Sequence, residues 1–215
     1  MCFFDKILDV IFPNVCGICD EICSLSICNK CRKEIDKFRR NKIKHYKDKS
    51  YELHIFIFKY DGVIRDRLLK YKFNGKSYLY KMFSNSILEN KKICDIIKQN
   101  DGIISVPIHK KRLFERGYNQ SELISKEISK RLGIEDFSEC LIKNRNTKSQ
   151  SELSKSERKT NIIGVYSVID NNNLYNRDIV LVDDIYTTGS TVQECSKILK
   201  QNGVKKITIL TIAKD

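Results

Sequence analysis

The sequence predicts an α/β fold, a mostly parallel sheet flanked by helices, with a small four-cysteine zinc module at its N-terminal end. Three observations carry this. From Asp101 onward, short apolar runs alternate with runs of helical length, the spacing of strand–helix–strand units. Six of the nine cysteines fall within the first 31 residues, four of them as two C-x2-C pairs. Between these regions lies RRNKIKHYKDKS, a basic, polar stretch with the composition of a linker. The chain is accordingly divided into residues 1–49, a zinc-binding module with its basic linker, and residues 50–215, the main domain, with 50–100 as a helical cap region.

In chain order, Phe3, Phe4, Ile7, Leu8, Ile11 and Phe12 fit one face of a short helix that Pro13 stops. CRKEIDKF is a second short helix. YELHIFIFKYDG alternates and is aromatic, as a strand meeting a turn at Asp61 and Gly62 would be. VIRDRLLKY is helical, Gly75 divides it from a run over Tyr78 to Leu88, and Ile93 to Gln99 forms a third helix beside the main sheet. GIISVP is a strand closed by Pro107, HKKRLFERGYNQ a loop, and SELISKEISKRL a helix ended by Gly133. ECLIK is a short strand, followed by the polar run NRNTKSQSELSKSERKTN. IIGVYSV and DIVLVD are strands, STVQECSKILKQ is a helix and VKKITILTIA is the last strand. In such a sheet, ligands sit beyond the carboxyl ends of the strands.

Apolar residues make up 41% and charged residues 31% with both signs interspersed, which favours a folded, soluble chain over a disordered one. No apolar stretch approaches the roughly 18 residues of a membrane span, and the N-terminal segment is broken by Asp5, Lys6 and Asp9, so neither a span nor a secretory signal is expected. An odd number of cysteines without an export signal points to reduced thiols in the cytoplasm. Forty basic against 27 acidic residues give a net charge of +13, which favours polyanionic partners through salt-sensitive contacts. Lys, Asn and Ile crowd the whole chain, however, so charge alone does not single out nucleic acid.

The most informative stretch is VLVDDIYTTGSTVQE. A buried strand ends in Asp183 and Asp184, two carboxylates that repel unless a cation, donors or a ligand's hydroxyls offset them. Adjacent on an extended chain, they point in different directions. Such acids can hold ribose hydroxyls directly or through a hydrated Mg²⁺. Thr187, Thr188, Gly189, Ser190 and Thr191 then enter a helix, where backbone N–H groups and hydroxyls form a nest suited to a 5′-phosphate. The plainer reading makes Ser190 an N-cap with Gln193 at the third helical position.

SVPIHKKRLFERGYNQSE gathers Lys110, Lys111, Arg112 and Arg116 after a strand and Pro107, a composition suited to a diphosphate, with Asn119 and Gln120 as further polar groups. His109 has no assigned partner and is expected at the surface rather than as a general base. The polar run holding Gln150, Arg158 and Asn161 is long enough to close over a charged ligand. In YDGVIRDRLLKYKFNGK, aromatic residues stand among Arg65, Lys70 and Lys72, which with Lys42 and Lys44 are candidate contacts to single-stranded DNA. Cys16 and Cys19 pair at C-x2-C spacing, as do Cys28 and Cys31, with eight residues between the pairs. This suits tetrahedral thiolate ligation of a structural Zn²⁺. Cys23 is an alternative to Cys19, and an iron–sulfur cluster or a redox pair remain open readings.

Together, RGYNQ, Gln150, Arg158 with Asn161, and VDDIYTTGST in that order resemble the competence protein F (ComF) branch of the type I phosphoribosyltransferases, over nearly the whole chain from Cys16. The resemblance implies a type I phosphoribosyltransferase-like fold with an N-terminal double-zinc-ribbon-like module. It assigns the four cysteines above to zinc, the acids to the ribose of phosphoribosyl pyrophosphate (PRPP), and the threonine-rich loop to its 5′-phosphate. It further implies a role in natural transformation and single-stranded DNA uptake, with partners such as a DNA helicase or a DNA-processing protein. Two readings stand side by side: a Mg²⁺-dependent phosphoribosyltransferase, or a non-catalytic module for single-stranded DNA or protein that retains the pocket.

Overall fold

The structure, a computed structural model, describes residues 14–146, 164–169 and 173–215. The expected helix over residues 3–12 therefore lies outside the described residues. Six strands form the main sheet: β1 (Arg39–His45), β2 (Leu53–Lys59), β3 (Gly102–Ser105), β4 (Glu135–Asp136), β7 (Asp178–Tyr186) and β8 (Lys206–Lys214). Their order across the sheet is β1-β2-β8-β7-β3-β4. All neighbours are parallel except β1, which runs antiparallel to β2. A second, two-stranded antiparallel sheet pairs β5 (Leu141–Lys143) with β6 (Tyr166–Val168).

Strand alternation divides the core into two layers. On one face, Ile103, Val180, Val182, Leu210 and Ile212 pack with apolar residues of α2 (Gly62–Phe73), α3 (Leu79–Leu88), α4 (Lys91–Lys98) and α6 (Gln120–Leu132). On the other, Ile104, Ile179, Leu181, Ile207 and Ile209 meet Val192, Cys195 and Leu199 of α7 (Ser190–Gln201). With both faces covered, β7 and β8 are buried along most of their length, with apolar runs such as Ile179–Val182 at their centres, as expected of central strands in a parallel sheet.

Several elements depart from expectation. HKKRLFERGYNQ is not a loop: Lys110–Arg116 form helix α5, closed by Gly117 at φ +82°. His109 caps it, its Nδ1 accepting from the Lys111 N–H at 3.2 Å. The basic stretch expected as a linker is the edge strand β1, with Arg40, Lys42 and Lys44 outward and a bulge between Arg39 and Lys42. Such a bulge and a row of charges discourage edge-to-edge pairing. The helices of residues 62–98 do not stand aside as a cap but share one core with the sheet.

The cysteine segment belongs to that core too. It leads into α1 (Asn29–Asp36), whose Ile35 is fully buried, and Cys16, Ile18, Ile27 and Cys31 pack into the same layer. Asp20 receives both Arg67 Nη1, at 3.0 Å, and the Tyr78 hydroxyl. Gly17 lies so close to Met82 that a Cβ there would stand 2.6 Å from its sulfur. No helix among the described residues is long and apolar enough to cross a membrane.

Met82 of α3 is the buried side chain on which the cysteine segment rests at Gly17. Met82→Ala should cost about 2–5 kcal/mol in urea-induced unfolding, as for other large-to-small changes in a core, and should expose the cysteine segment to protease first. A loss below about 1 kcal/mol, of the size expected at a surface position, would show that the segment is not anchored through this side chain.

Candidate functional site

At the carboxyl ends of β3 and β7 lies a cavity of about 360 Å³. Strand β7, expected to end at the acids, instead continues through them to Tyr186. Asp183 Oδ1 accepts from the Asp184 N–H at 2.9 Å and from the Ser121 hydroxyl at 3.4 Å. Asp184 is 7% exposed; its Oδ1 accepts from the Ile185 N–H at 2.8 Å, and its Oδ2 lies 3.0 Å from Lys72 Nζ. One acid therefore turns toward the start of α6 and the other toward the end of α2, while both line the cavity. Burial, then the neighbouring Asp184, pushes the Asp183 carboxyl up to about 7, against a smaller opposing pull from Lys72.

Beyond the strand, Gly189 at φ +76° turns the chain into α7. It is the N-cap, so the plainer reading of Ser190 as cap with Gln193 is not realised; Gln193 Nε2 donates instead to Ser50 Oγ at 2.9 Å. A side chain at 189 would collide with Tyr186, its Cβ 2.3 Å from the ring. Tyr186 is held from below by the Tyr51 hydroxyl at 2.9 Å and by stacking on His54 at 4.3 Å. Burial and then Lys214 lower the His54 pKa to about 3, so the imidazole is neutral, and its Nε2 sits 2.9 Å from Thr211 Oγ1. Thr188 Oγ1 and Ser190 Oγ are 2.7 Å apart, and Thr187 and Thr191 line the cavity. The first turn of α7 thus brings a helix start and its hydroxyls to one side of the acids, an arrangement suited to an anion.

The cations come from three elements. Helix α5 turns Arg112 and Arg116 into the cavity beside Pro107 but leaves Lys110 and Lys111 exposed and outside its lining. Arg116 lies over the Phe73 ring at 5.7 Å. Lys72 comes from the last turn of α2 and faces the cavity and Asp184 instead of the open surface expected of it. Lys143, from β5, was not singled out by sequence; burial and then Arg112 lower its ammonium to about 8, and it lies 5.6 Å from the Tyr166 ring. Asn119 caps α6, accepting from the Ser121 N–H at 3.2 Å and donating to the Val106 carbonyl at 3.1 Å. Gln120 lines the cavity, and its buried Nε2 finds no hydrogen-bond partner among the described residues. Gln150, Arg158 and Asn161 lie outside the described residues.

A larger groove of about 760 Å³ runs past α6 and the turn after β4. Its charged lining is mainly acidic, with Glu122, Glu135, Asp136 and Glu139 against Lys126 and Lys130, the wrong balance for an anionic ligand. Of the other DNA candidates, Lys42, Lys44 and Arg65 are exposed, and Lys70 pairs with Asp66 at 3.1 Å.

The Sγ atoms of Cys16, Cys19, Cys28 and Cys31 all lie within 4.8 Å of one another. Tetrahedral Zn–S bonds of about 2.3 Å would place the sulfurs about 3.8 Å apart, so the set fits a four-thiolate metal with small adjustment. Cys23 is elsewhere, its thiol donating to the Leu25 carbonyl at 2.8 Å. Burial alone would raise the Cys16 thiol, but the N–H groups of Cys19, Cys28 and Ile18 outweigh it and bring the pKa to about 7, favouring the thiolate a metal needs. The described cysteines are all free thiols.

Residues 119–215 match the phosphoribosyl transferase domain family. Over 209 residues the chain is 27% identical to competence protein F of Haemophilus influenzae, covering 94% of this chain and 90% of that protein. It is 28% identical to competence protein ComFC of Streptococcus pneumoniae over 161 residues, 75% of this chain and 68% of the other. The DNA utilization protein YhgH of Shigella flexneri is 37% identical over 109 residues, which is 51% of this chain and 47% of that protein, so the match spans about half of each.

The raised pKa of Asp183 has a definite sign in stability. The folded protein keeps a proton that the unfolded chain, at its ordinary value of 3.8, has released, so this group's contribution falls as pH rises from 3.8 to about 7 and is constant outside that window. Asp183→Asn removes the loss. Its thermal midpoint should gain on wild type between about pH 4 and about pH 8; a constant difference across that range would show that Asp183 titrates normally.

Proposed function

We propose that this chain is a member of the competence protein F (ComF) family, and that it binds PRPP in its cavity and acts in natural competence, in the uptake or processing of single-stranded DNA. The observation that carries the reading is the convergence on one volume of two carboxylates, a hydroxyl-rich helix start and the cations Lys72, Arg112, Arg116 and Lys143. In this reading Asp183 and Asp184 hold the ribose hydroxyls, and residues 187–191 hold the 5′-phosphate at the start of α7. The diphosphate lies toward Arg112 and Arg116, with Pro107 shaping that side and Lys110 and Lys111 acting only through their longer-range field. The Nε2 of Gln120 supplies a donor that a phosphorylated sugar would satisfy. Charge neutralisation of the diphosphate is what Mg²⁺ supplies when it comes bound to the ligand.

If transfer occurs, an acceptor forms a bond to the anomeric carbon as its bond to the diphosphate oxygen breaks, and the diphosphate departs with the electron pair. Arg112 and Arg116 stabilise that departing charge, and the carboxylates stand beside the developing oxocarbenium ion. The cavity's 360 Å³, however, is near the low end of the roughly 300–1,000 Å³ of small-molecule sites. That favours a second reading, a non-catalytic module that binds PRPP and meets single-stranded DNA or other competence proteins, such as a helicase or a DNA-processing protein, through surface residues including Lys42, Lys44 and Arg65. The cysteine set is read as a closed structural zinc site with no position for water. Free thiols suit a cytoplasmic location.

Calorimetric titration with PRPP and Mg²⁺, followed by product analysis with free bases and single-stranded DNA, separates the two readings. Asp183→Ala should weaken PRPP at least about tenfold, the loss of roughly 1.4 kcal/mol, and leave oligonucleotide binding intact. Reversing the charges of Lys42 and Lys44 should do the opposite. Binding without diphosphate release across the acceptors would select the non-catalytic module, and indifference of both variants to both ligands would overturn the site assignment. Metal analysis of anaerobically purified protein should give one zinc per chain, lost in Cys28→Ser; iron with acid-labile sulfide would replace the zinc assignment.

A further inference from the structure

We propose that Lys72 occupies the place at the acid pair that a divalent cation would otherwise take, so that the ligand-free cavity holds no protein-bound Mg²⁺ or Mn²⁺. Both oxygens of Asp184 are already committed: Oδ1 accepts from the Ile185 N–H at 2.8 Å, and Oδ2 meets Lys72 Nζ at 3.0 Å. Asp183 Oδ1 is engaged by the Asp184 N–H at 2.9 Å and the Ser121 hydroxyl at 3.4 Å. The two acids turn to different helices instead of converging on one point, whereas a hard divalent ion draws its oxygens into a single shell.

Lys72 is also not the sole cation present. Arg116 is close enough to Asp184, and Lys143 to Asp183, for each charge to be felt by its partner. A doubly charged ion entering beside Lys72 would face the repulsion of all three. Lys72 is in turn placed by α2, whose Leu68 and Tyr71 are buried in the core and whose Arg67 is fastened to Asp20. The ammonium is thus delivered by a fixed helix end, not by a wandering surface side chain.

One consequence deepens the PRPP reading and rests on it. Metal would arrive only on the ligand's diphosphate, and an incoming anion could draw Lys72 from Asp184, freeing that carboxylate for the sugar hydroxyls. The proposal itself is tested without PRPP. Protein preloaded with zinc is titrated with Mn²⁺, and bound ion is read by electron paramagnetic resonance, with Asp184→Asn subtracted as background. Wild type and Lys72→Arg should show no Mn²⁺ at the acid pair. Lys72→Met should gain one site, at least about tenfold tighter than anything in wild type at this position, and Lys72→Met with Asp184→Asn should lose it. Lys72→Gln serves as the second variant, and circular dichroism verifies folding. Equal Mn²⁺ binding by wild type and folded Lys72→Met, or no site in either, would overturn the proposal. A failed PRPP titration would sink the earlier reading and leave this one standing.

Discussion

Two adjacent carboxylates inside a covered strand are the constraint around which the rest of this molecule is arranged. Water cannot screen them fully, and they cannot be spread apart, because strand β7 fixes their spacing. The fold answers by turning them to different helices, with backbone N–H groups that follow each acid, and with an ammonium on one side. What remains uncompensated pushes the Asp183 carboxyl up to about 7. A ligand bearing hydroxyls and phosphoryl groups would complete the compensation, so the same strain that burdens the free protein favours occupancy.

The second organising fact is that the cysteine segment is built into the main core. Its buried residues touch the helical layer directly, Asp20 joins Arg67 and Tyr78, and Arg32 of α1 pairs with Glu89 beyond α3 at 2.8 Å. Thiolate ligation would therefore brace a face of the sheet as well as a loop of its own.

Much of this was legible in the sequence because the relevant signals are local. The apolar runs of β3, β7 and β8, the glycine that ends α6, and the acid pair followed by small hydroxylated residues all declare themselves within a short span of chain. The cysteine pairs do likewise, and the structure brings their four sulfurs together while leaving Cys23 aside. What escaped was set by distant chain. The stretch before Gly117 is too short and too charged to show a helical stripe, so α5 read as a loop. Arg39–His45 looked like a linker because an edge strand with one solvated side is mostly polar. Lys72 and Lys143 carry no local mark of a pocket residue; one arrives at the end of α2 and the other from the small antiparallel sheet, meeting Asp184 and Asp183 only after the fold closes.

Helix α2 carries Arg67 at one point and Lys72 little more than a turn later. The first is tethered to the loop between the cysteines and the second to the acid pair. Stripping or oxidising the thiols would slacken the near tether, and the far one hangs from the same rod. The acid pair is therefore coupled mechanically to the chain's own cysteine segment through a single stretch of helix.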